Sequence, residues 1–91
     1  MPMAQVRFTS WLREVVPDAT IDADGATVGD ALAAVFTALP HVRGYVLDDR
    51  GSLRKHVCVF ADGRRLPRET TLSHPIRHDS QLYVMQALSG G

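Results

Sequence analysis

Apolar and polar positions alternate near the start of the chain, where Val6 and Phe8 fall on one side of residues 3–9 and polar side chains on the other. This two-residue period is typical of a β-strand with one buried face. Residues 19–23 predict a second short strand, which the Asp-Gly pair at residues 24–25 ends. The first quarter of the chain is therefore predicted to supply two strands.

The spacing of apolar residues changes to that of a helix after Thr27. Thr27 is placed to accept a hydrogen bond at the helix start, and Asp30 stands where a capping box has its acid. Apolar residues then recur at the i, i+4, i+7, i+8, i+11 spacing of an amphipathic helix, and Pro40 ends it. The apolar positions are Val28, Leu32, Val35, Phe36 and Leu39.

A loop and a third strand follow the helix. We expect residues 41–54 to form the loop, with Tyr45, Val46 and Leu47 tucked beneath it. Residues 55–61 carry alternating valines and predict the third strand. The apolar run inside the loop is expected to add to the core.

The remaining sequence predicts a hairpin, a polar stretch and a last strand. An Asp-Gly pair at residues 62–63 is a strong two-residue hairpin signal. Residues 64–66 begin the return strand, which Pro67 restricts to the sheet edge. Residues 68–80 are polar and rich in turn formers, and residues 82–87 form the last strand.

The resulting order is strand, strand, helix, strand, short strand, strand. A single amphipathic helix must bury its apolar stripe on one face of the sheet. The first and last strands are the most apolar, so we expect them to be the central pair. The sequence predicts one α+β domain over residues 1–91, a mixed sheet of four to five strands packed on one main helix.

Composition and charge narrow the functional classes. The chain has 91 residues, 45% of them apolar, which fits one globular domain. Ten acidic residues balance ten basic ones, without the basic excess of nucleic-acid-binding proteins, so no nucleic-acid partner is expected. Arg64, Arg65 and Arg68 form a local basic cluster, but Asp62 and Glu69 interleave with it. We interpret this cluster as a solvated hairpin edge.

Cellular location follows from features that the sequence lacks. One cysteine, Cys58, cannot form an internal disulfide. The N-terminal residues have neither the charged nor the apolar region of a signal peptide. No apolar stretch approaches the roughly 18 residues that a membrane-spanning helix needs. We therefore expect a cytoplasmic protein without a membrane partner.

No catalytic centre is visible in the sequence. Cys58 has no Asp/His pair placed to activate it, and a cysteine in the middle of a strand is more often inert packing. The four histidines do not stand at metal-binding spacings from cysteines or acids. Without an acid, base and nucleophile constellation, the chain is predicted to be no enzyme and to hold no metal or intrinsic cofactor.

The sequence ends in Gly90-Gly91, directly after the last predicted strand. Two glycines have no side chains to pack, so they contribute little to a fold. Backbone without Cβ can instead approach other groups closely and adopt almost any φ/ψ. Such an ending is suited to bring a carboxylate into a narrow channel of another protein.

Three segments resemble the MoaD/ThiS family of sulfur carrier proteins. Residues 51–63, GSLRKHVCVFADG, are similar to the GxLRxxVxVFVNG segment of the cysteine-synthesis, CysO-like branch. Residues 24–32 match the xGxTVxDLL helix start, and residues 82–91 match the final xVxxxPxVxGG. The chain departs from the family in having His-Asp-Ser at residues 78–80 for Asp-Gly-Asp, and Gln86 for the usual proline.

The resemblance implies a ubiquitin-like β-grasp fold and the function of a carrier. In this family the terminal carboxylate, here that of Gly91, is adenylated by a MoeB/ThiF-like, ubiquitin-activating-type enzyme and converted to a thiocarboxylate. ATP and the sulfur donor are used by that enzyme or a sulfurtransferase, and a sulfur-accepting synthase takes the sulfur. The resemblance also implies that a flexible tail precedes Gly91 and enters the partner's channel. This tail consists of Ala87, Leu88, Ser89 and Gly90.

The alternation of the strands also predicts a surface for the partner. If the valines of the third and last strands face the helix, an aromatic and sulfur-containing patch faces away from it, which is typical of a protein-binding surface. Cross-strand packing that only stabilises the sheet is the alternative. The patch consists of Cys58, Phe60, Tyr83 and Met85.

Three functions stay open at this point. The first is a sulfur carrier for cysteine, molybdopterin or thiazole synthesis, with residues 53–57 favouring the cysteine branch. The second is a ubiquitin-like modifier that forms isopeptide bonds with lysines of target proteins. The third is a binding module of the same fold whose tail has no role.

Overall fold

A computed structural model describes residues 3–8 and 20–86 of the chain. The predicted strand ends at Thr9, Ala19 and Ala87 lie outside these ranges. No helix in them is long and apolar enough to cross a membrane. The strands are β1 (Ala4–Phe8), β2 (Ile21–Ala23), β3 (Val57–Ala61), β4 (Arg64–Arg65) and β5 (Gln81–Gln86), and the α-helices are α1 (Val28–Ala38) and α2 (Arg43–Val46). Short 3-10 helices cover Pro40–Val42 and Arg68–Thr70.

The five strands form one mixed sheet in the order β2-β1-β5-β3-β4. β1 runs parallel to β5, while the β1–β2, β5–β3 and β3–β4 pairs are antiparallel. The first and last strands are therefore adjacent, with β5 at the centre, as predicted. The predicted α+β fold, a mixed sheet on one main helix, is confirmed.

Helix α1 starts where the sequence predicted. Thr27 is in an extended conformation, and its hydroxyl accepts a hydrogen bond from the Asp30 N–H at 3.2 Å. This bond satisfies one of the amide groups that the first helical turn leaves without a partner. The buried residues of the helix are Val28, Ala31, Leu32, Val35 and Phe36.

The core lies between α1 and one face of the sheet. Every second residue of the three central strands points into it, and these side chains are almost completely shielded from water. Burial of a Val or Leu side chain contributes about 1.5–3 kcal/mol relative to its exposure. The sheet residues concerned are Val6, Val57, Val59, Ala61, Leu82 and Val84.

The loop predicted over residues 41–54 has more structure than expected. It contains a 3-10 turn, helix α2 and an isolated bridge between Leu47 and Leu53. Val46 is fully buried, as predicted, but Tyr45 is 47% exposed, so its prediction was wrong. In a helix successive side chains point in different directions, so α2 cannot bury both neighbours on one side.

Candidate functional site

The four residues of the predicted patch lie on the face of the sheet that α1 does not cover, which we term the open face. In the β3–β5 register Cys58 stands opposite Met85, and Phe60 stands opposite Tyr83. Three of these side chains are half-buried, while Tyr83 is 39% exposed. The predicted direction of the side chains is confirmed, and a role in docking stays a prediction.

The structure adds two arginines that the sequence analysis did not assign to this surface. Arg7 of β1 stands beside Tyr83, and Arg65 of β4 stands beside Phe60. One line across four strands thus reads Arg7, Tyr83, Phe60, Arg65, which we term the arginine–aromatic row. The alternation of β1 placed Arg7 away from the core. That Tyr83 is its neighbour depends on the pairing of β1 with β5, which joins residues 76 positions apart in the sequence.

Arg7 is held against the aromatic patch by three contacts. Its Nε–H donates to the Thr20 hydroxyl at 2.9 Å, and an Nη1–H donates to the Tyr83 hydroxyl at 3.0 Å. The guanidinium carbon also lies 5.8 Å from the centroid of the Tyr83 ring. A cation–π contact at an exposed site contributes about 0.5–1 kcal/mol. The positive charge is therefore fixed at one end of the row.

Two further rows flank the arginine–aromatic row on the open face. On one side Gln81 Nε2 donates to Gln5 Oε1 at 2.9 Å, and Asp22 stands beside Gln5 on β2. On the other side lies the Cys58–Met85 pair, next to Gln86 at the end of β5. The apolar surface therefore extends towards the end of β5 and not towards its start.

The hairpin between β3 and β4 fixes the register of this surface. Asp62 and Gly63 have φ values of 51° and 85°, the left-handed conformation that a tight two-residue turn requires. The Asp62 N–H donates to the Gln81 carbonyl at 2.8 Å, and the Gln81 N–H donates to Asp62 Oδ1 at 2.9 Å. These bonds tie the turn to the start of β5 and hold Phe60 opposite Tyr83.

The three arginines of the basic cluster have different surroundings. Arg64 and Arg65 are exposed on the edge strand, as predicted for a solvated hairpin edge. Arg68 departs from that prediction, because its guanidinium donates to the Val57 carbonyl at 3.0 Å and the Leu53 carbonyl at 3.2 Å. It also donates to the Arg54 carbonyl. Arg68 therefore connects the turn at Arg68–Thr70 to residues 53–57.

One carboxyl group of the described ranges has a shifted pKa, and no cluster there is suited to a metal ion. Residues 3–8 and 20–86 contain no group of three or more His, Cys, Asp and Glu side chains that could hold a metal ion. The pKa of Asp48 is lowered because its carboxylate accepts hydrogen bonds from the Ser52 and Arg50 N–H groups. These bonds stabilise the turn at Gly51, whose φ is 82°.

The predicted tail lies outside the described residues. This applies to Ala87, Leu88, Ser89, Gly90 and Gly91, whose assigned roles stay predictions. The last described residue, Gln86, lies at the end of the central strand, next to the Cys58–Met85 pair.

Comparison with known sequences gives one family. The model of the ThiS family matches residues 6–91, which include the last two glycines. No curated protein matches the chain. The match extends over nearly the whole chain and includes every element described above except the first two residues of β1.

Solved structures share the fold over its full length. SAMP1 from Haloferax volcanii is 31% identical, with 97% of this chain and 98% of that chain covered and a TM-score of 0.77. A chain of the Amycolatopsis orientalis BexX/CysO complex is 18% identical, with 97% and 99% covered and a TM-score of 0.83. Mycobacterium tuberculosis CysO is 16% identical, with 93% and 99% covered and a TM-score of 0.82. The two CysO likenesses show the fold alone, and the predicted ubiquitin-like β-grasp fold is confirmed.

Proposed function

The chain belongs to the ThiS family, and from this premise we propose that it carries sulfur as a thiocarboxylate on Gly91. It is a small ubiquitin-like protein of the carrier and modifier type. The observation that carries the proposal is the Gly-Gly pair within the matched segment, only five residues beyond the central strand. Extended, those five residues would reach about 17 Å, enough to place the terminus in a partner's site while the domain stays outside.

The chemistry needs nothing from this chain except its terminal carboxylate. An α-carboxyl group has a pKa of about 3.3–3.7, so at neutral pH it is already the anionic nucleophile. Attack on the α-phosphate of ATP gives an acyl-adenylate and releases pyrophosphate. A sulfur donor then displaces AMP and leaves the thiocarboxylate. ATP, the sulfur donor and the catalytic groups belong to the partner, a MoeB/ThiF-like adenylating enzyme or a sulfurtransferase.

The absence of side chains at Gly90 and Gly91 fits this use. A channel that admits only backbone selects a Gly-Gly terminus, because any Cβ would meet its walls. In this proposal Ala87, Leu88 and Ser89 are the spacer between the channel and the domain. The protein is accordingly a cosubstrate of the adenylating enzyme and performs no catalysis itself.

The open face is the surface that we assign to docking. Its aromatic and sulfur-containing side chains stand beside the point where β5 ends, so a partner bound there is close to the tail. Exposed Tyr side chains with apolar neighbours are common energetic centres of protein interfaces. The residues assigned to docking are Cys58, Phe60, Tyr83 and Met85.

The final recipient is proposed from the sequence motif. Residues 53–57, LRKHV, favour a synthase that transfers the sulfur to activated serine for cysteine, over the molybdopterin and thiazole pathways. We propose that the carrier acts in the cytoplasm, where such biosynthesis takes place. The sulfur-accepting synthase is the second partner after the adenylating enzyme.

A modifier function is the second candidate, because the relative with 31% identity belongs to the small archaeal modifier proteins. The same adenylated Gly91 would then form an isopeptide bond with a lysine of a target protein. The product distinguishes the two functions: a ladder of slower-migrating conjugates for the modifier, and a free thiocarboxylate for the carrier.

Adenylation tests the proposal. A ThiF-type enzyme should catalyse ATP–pyrophosphate exchange that depends on this protein and disappears when Gly90 and Gly91 are deleted. A variant extended by one residue beyond Gly91 is the matched control, since it keeps both glycines but moves the carboxylate. Exchange that survives the deletion would contradict the proposal and favour a binding module whose tail has no role.

A further inference from the structure

The arginine–aromatic row has its two positive charges at opposite ends and its two rings in the middle. Neighbouring strands lie about 4.7–4.9 Å apart, so the backbones of Arg7 and Arg65 are separated by about 14 Å. Tyr83 and Phe60 fill the distance between them. A partner that covers the rings must therefore meet a cation on each side.

Neither charge is neutralised within the described part of the protein. Arg7 uses two of its five N–H donors on Thr20 and Tyr83, and the other three have no partner among residues 3–8 and 20–86. Arg65 has no hydrogen bond or ion pair to any residue of the ranges 3–8 and 20–86. Two acids, Asp22 and Asp62, lie at the ends of the flanking glutamine row, beside Gln5 and Gln81 and not beside either arginine.

The charge pattern decides between possible occupants of the open face. A second copy of this chain would bring the same two arginines and no acid in the row, which leaves all the charges without a counterpart. A single-stranded nucleic acid could stack on the rings, but the flanking rows offer glutamines and sulfur atoms in place of cations for its phosphates. The chain also has no net positive charge.

We propose that the open face recognises a protein surface with an apolar centre and a carboxylate on each side, which pair with Arg7 and Arg65. The inference rests on the proposed function, because the protein meant is the adenylating enzyme that loads Gly91. The guanidinium of Arg7 is held in place by Thr20 and Tyr83, so it can present its remaining N–H donors to a carboxylate with little loss of side-chain freedom. The arginines select the partner, while the rings supply the buried contact area.

Titration of the protein with a ThiF-type adenylating enzyme, at low and at physiological salt, tests this assignment. Arg7→Gln and Arg65→Gln should each weaken binding about 3-fold, and the double variant about 10-fold with a smaller salt dependence, because charges at an interface rim act on association. The KM of the carrier in adenylation should rise by the same factors as the dissociation constant, because both arginines act in binding. Arg64→Gln is the matched control, because Arg64 pairs with Ala61 and belongs to the opposite alternation.

Arg65→Gln also limits effects through stability, since the exposed Arg65 side chain has no hydrogen bond or ion pair within residues 3–8 and 20–86. Binding of Arg65→Gln equal to that of Arg64→Gln would overturn the assignment. So would a stable dimer of the wild type, or comparable binding of a single-stranded oligonucleotide. Wild-type protein that binds the enzyme through both arginines without being adenylated would overturn the proposed function and leave this inference standing. Failure to bind at all would overturn both.

Discussion

The two faces of the same sheet differ although their residues alternate along the same strands. On the inner face Val59, Leu82 and Val84 are almost completely buried against α1. On the open face their immediate neighbours Phe60 and Tyr83 stay partly accessible, and no element of the described ranges packs over them. The inner face therefore supplies the core that stabilises the fold, and the open face is the surface that we propose for recognition.

This separation has a physical basis in the two-residue period of a strand. A substitution at an inner position removes buried contacts and leaves a cavity, whereas one at the open face mainly changes what the surface presents to another molecule. The two sets of residues should thus respond independently in stability and in partner binding. The predictions below test that independence.

Leu82→Ala should have the largest effect. Leu82 is 1% exposed on the central strand, and truncation of such a leucine costs about 2–5 kcal/mol in free energy of unfolding. Denaturant titration measures the loss. Tyr83→Ser, at the next position, is the comparison on the open face. An equal loss in both variants would contradict the distinction between the faces.

The double variant Phe60→Ser, Tyr83→Ser should show the opposite behaviour. We expect kcat/KM for adenylation to fall about 10-fold or more, because aromatic residues at the centre of an interface supply much of its binding energy. The cost in stability should be about 1–2 kcal/mol, for the lost cross-strand pair and the lost contacts of Arg7 with Tyr83. Unchanged adenylation kinetics in a folded protein would remove the docking role of these residues.

Gly63→Ala should have a moderate effect on stability and shows how the hairpin supports the open face. The φ of Gly63 is 85°, and an added Cβ would meet no atom within 4 Å, so backbone strain alone should cost about 1–2 kcal/mol. Gly44→Ala is the matched control, because it lies in α2 with equally open space but without positive φ. If thermal unfolding gives both variants the same stability, the positive φ of Gly63 does not constrain the turn.

Asp48→Asn should have the smallest effect and lies away from both faces. Hydrogen bonds from the Ser52 and Arg50 N–H groups lower the folded-state pKa of Asp48 below its ordinary value. The charged carboxylate thus stabilises the fold above the ordinary pKa, and this contribution is lost as pH falls through the folded value.

The Tm of the wild type should therefore decrease slightly more on acidification than that of Asp48→Asn. Thermal unfolding measured across the acidic range shows the difference. Asp49→Asn, which changes the neighbouring carboxylate, is the control for a general effect of charge. A steeper decrease in Tm on acidification for Asp48→Asn than for the wild type would contradict the predicted direction of the pKa shift.

Local patterns were sufficient to predict the five strands, helix α1 and the side-chain directions of β3 and β5. The alternation of β3 and β5 placed Phe60 and Tyr83 on the open face, and the Thr27 cap located the start of α1. Period and capping depend only on residues close in sequence, so a single sequence contains the information. Family motifs then connected these elements to a known fold.

Other features depend on contacts between distant parts of the chain. Arg7 meets Tyr83 through a parallel register that no turn between the two strands determines. Arg68 meets the Leu53 and Val57 carbonyls only after the loops have folded together. Tyr45 was expected inside but is exposed. The prediction failed because three apolar residues in a row do not show which of them a short helix turns outward.

Intact-mass analysis of the protein, produced together with a ThiF-type enzyme and a sulfur donor, tests the central claim most directly. The account predicts a mass increase equal to one sulfur-for-oxygen exchange, and alkylation that maps to Gly91 and persists in Cys58→Ser. An unchanged mass at Gly91, with all alkylation at Cys58, would contradict it.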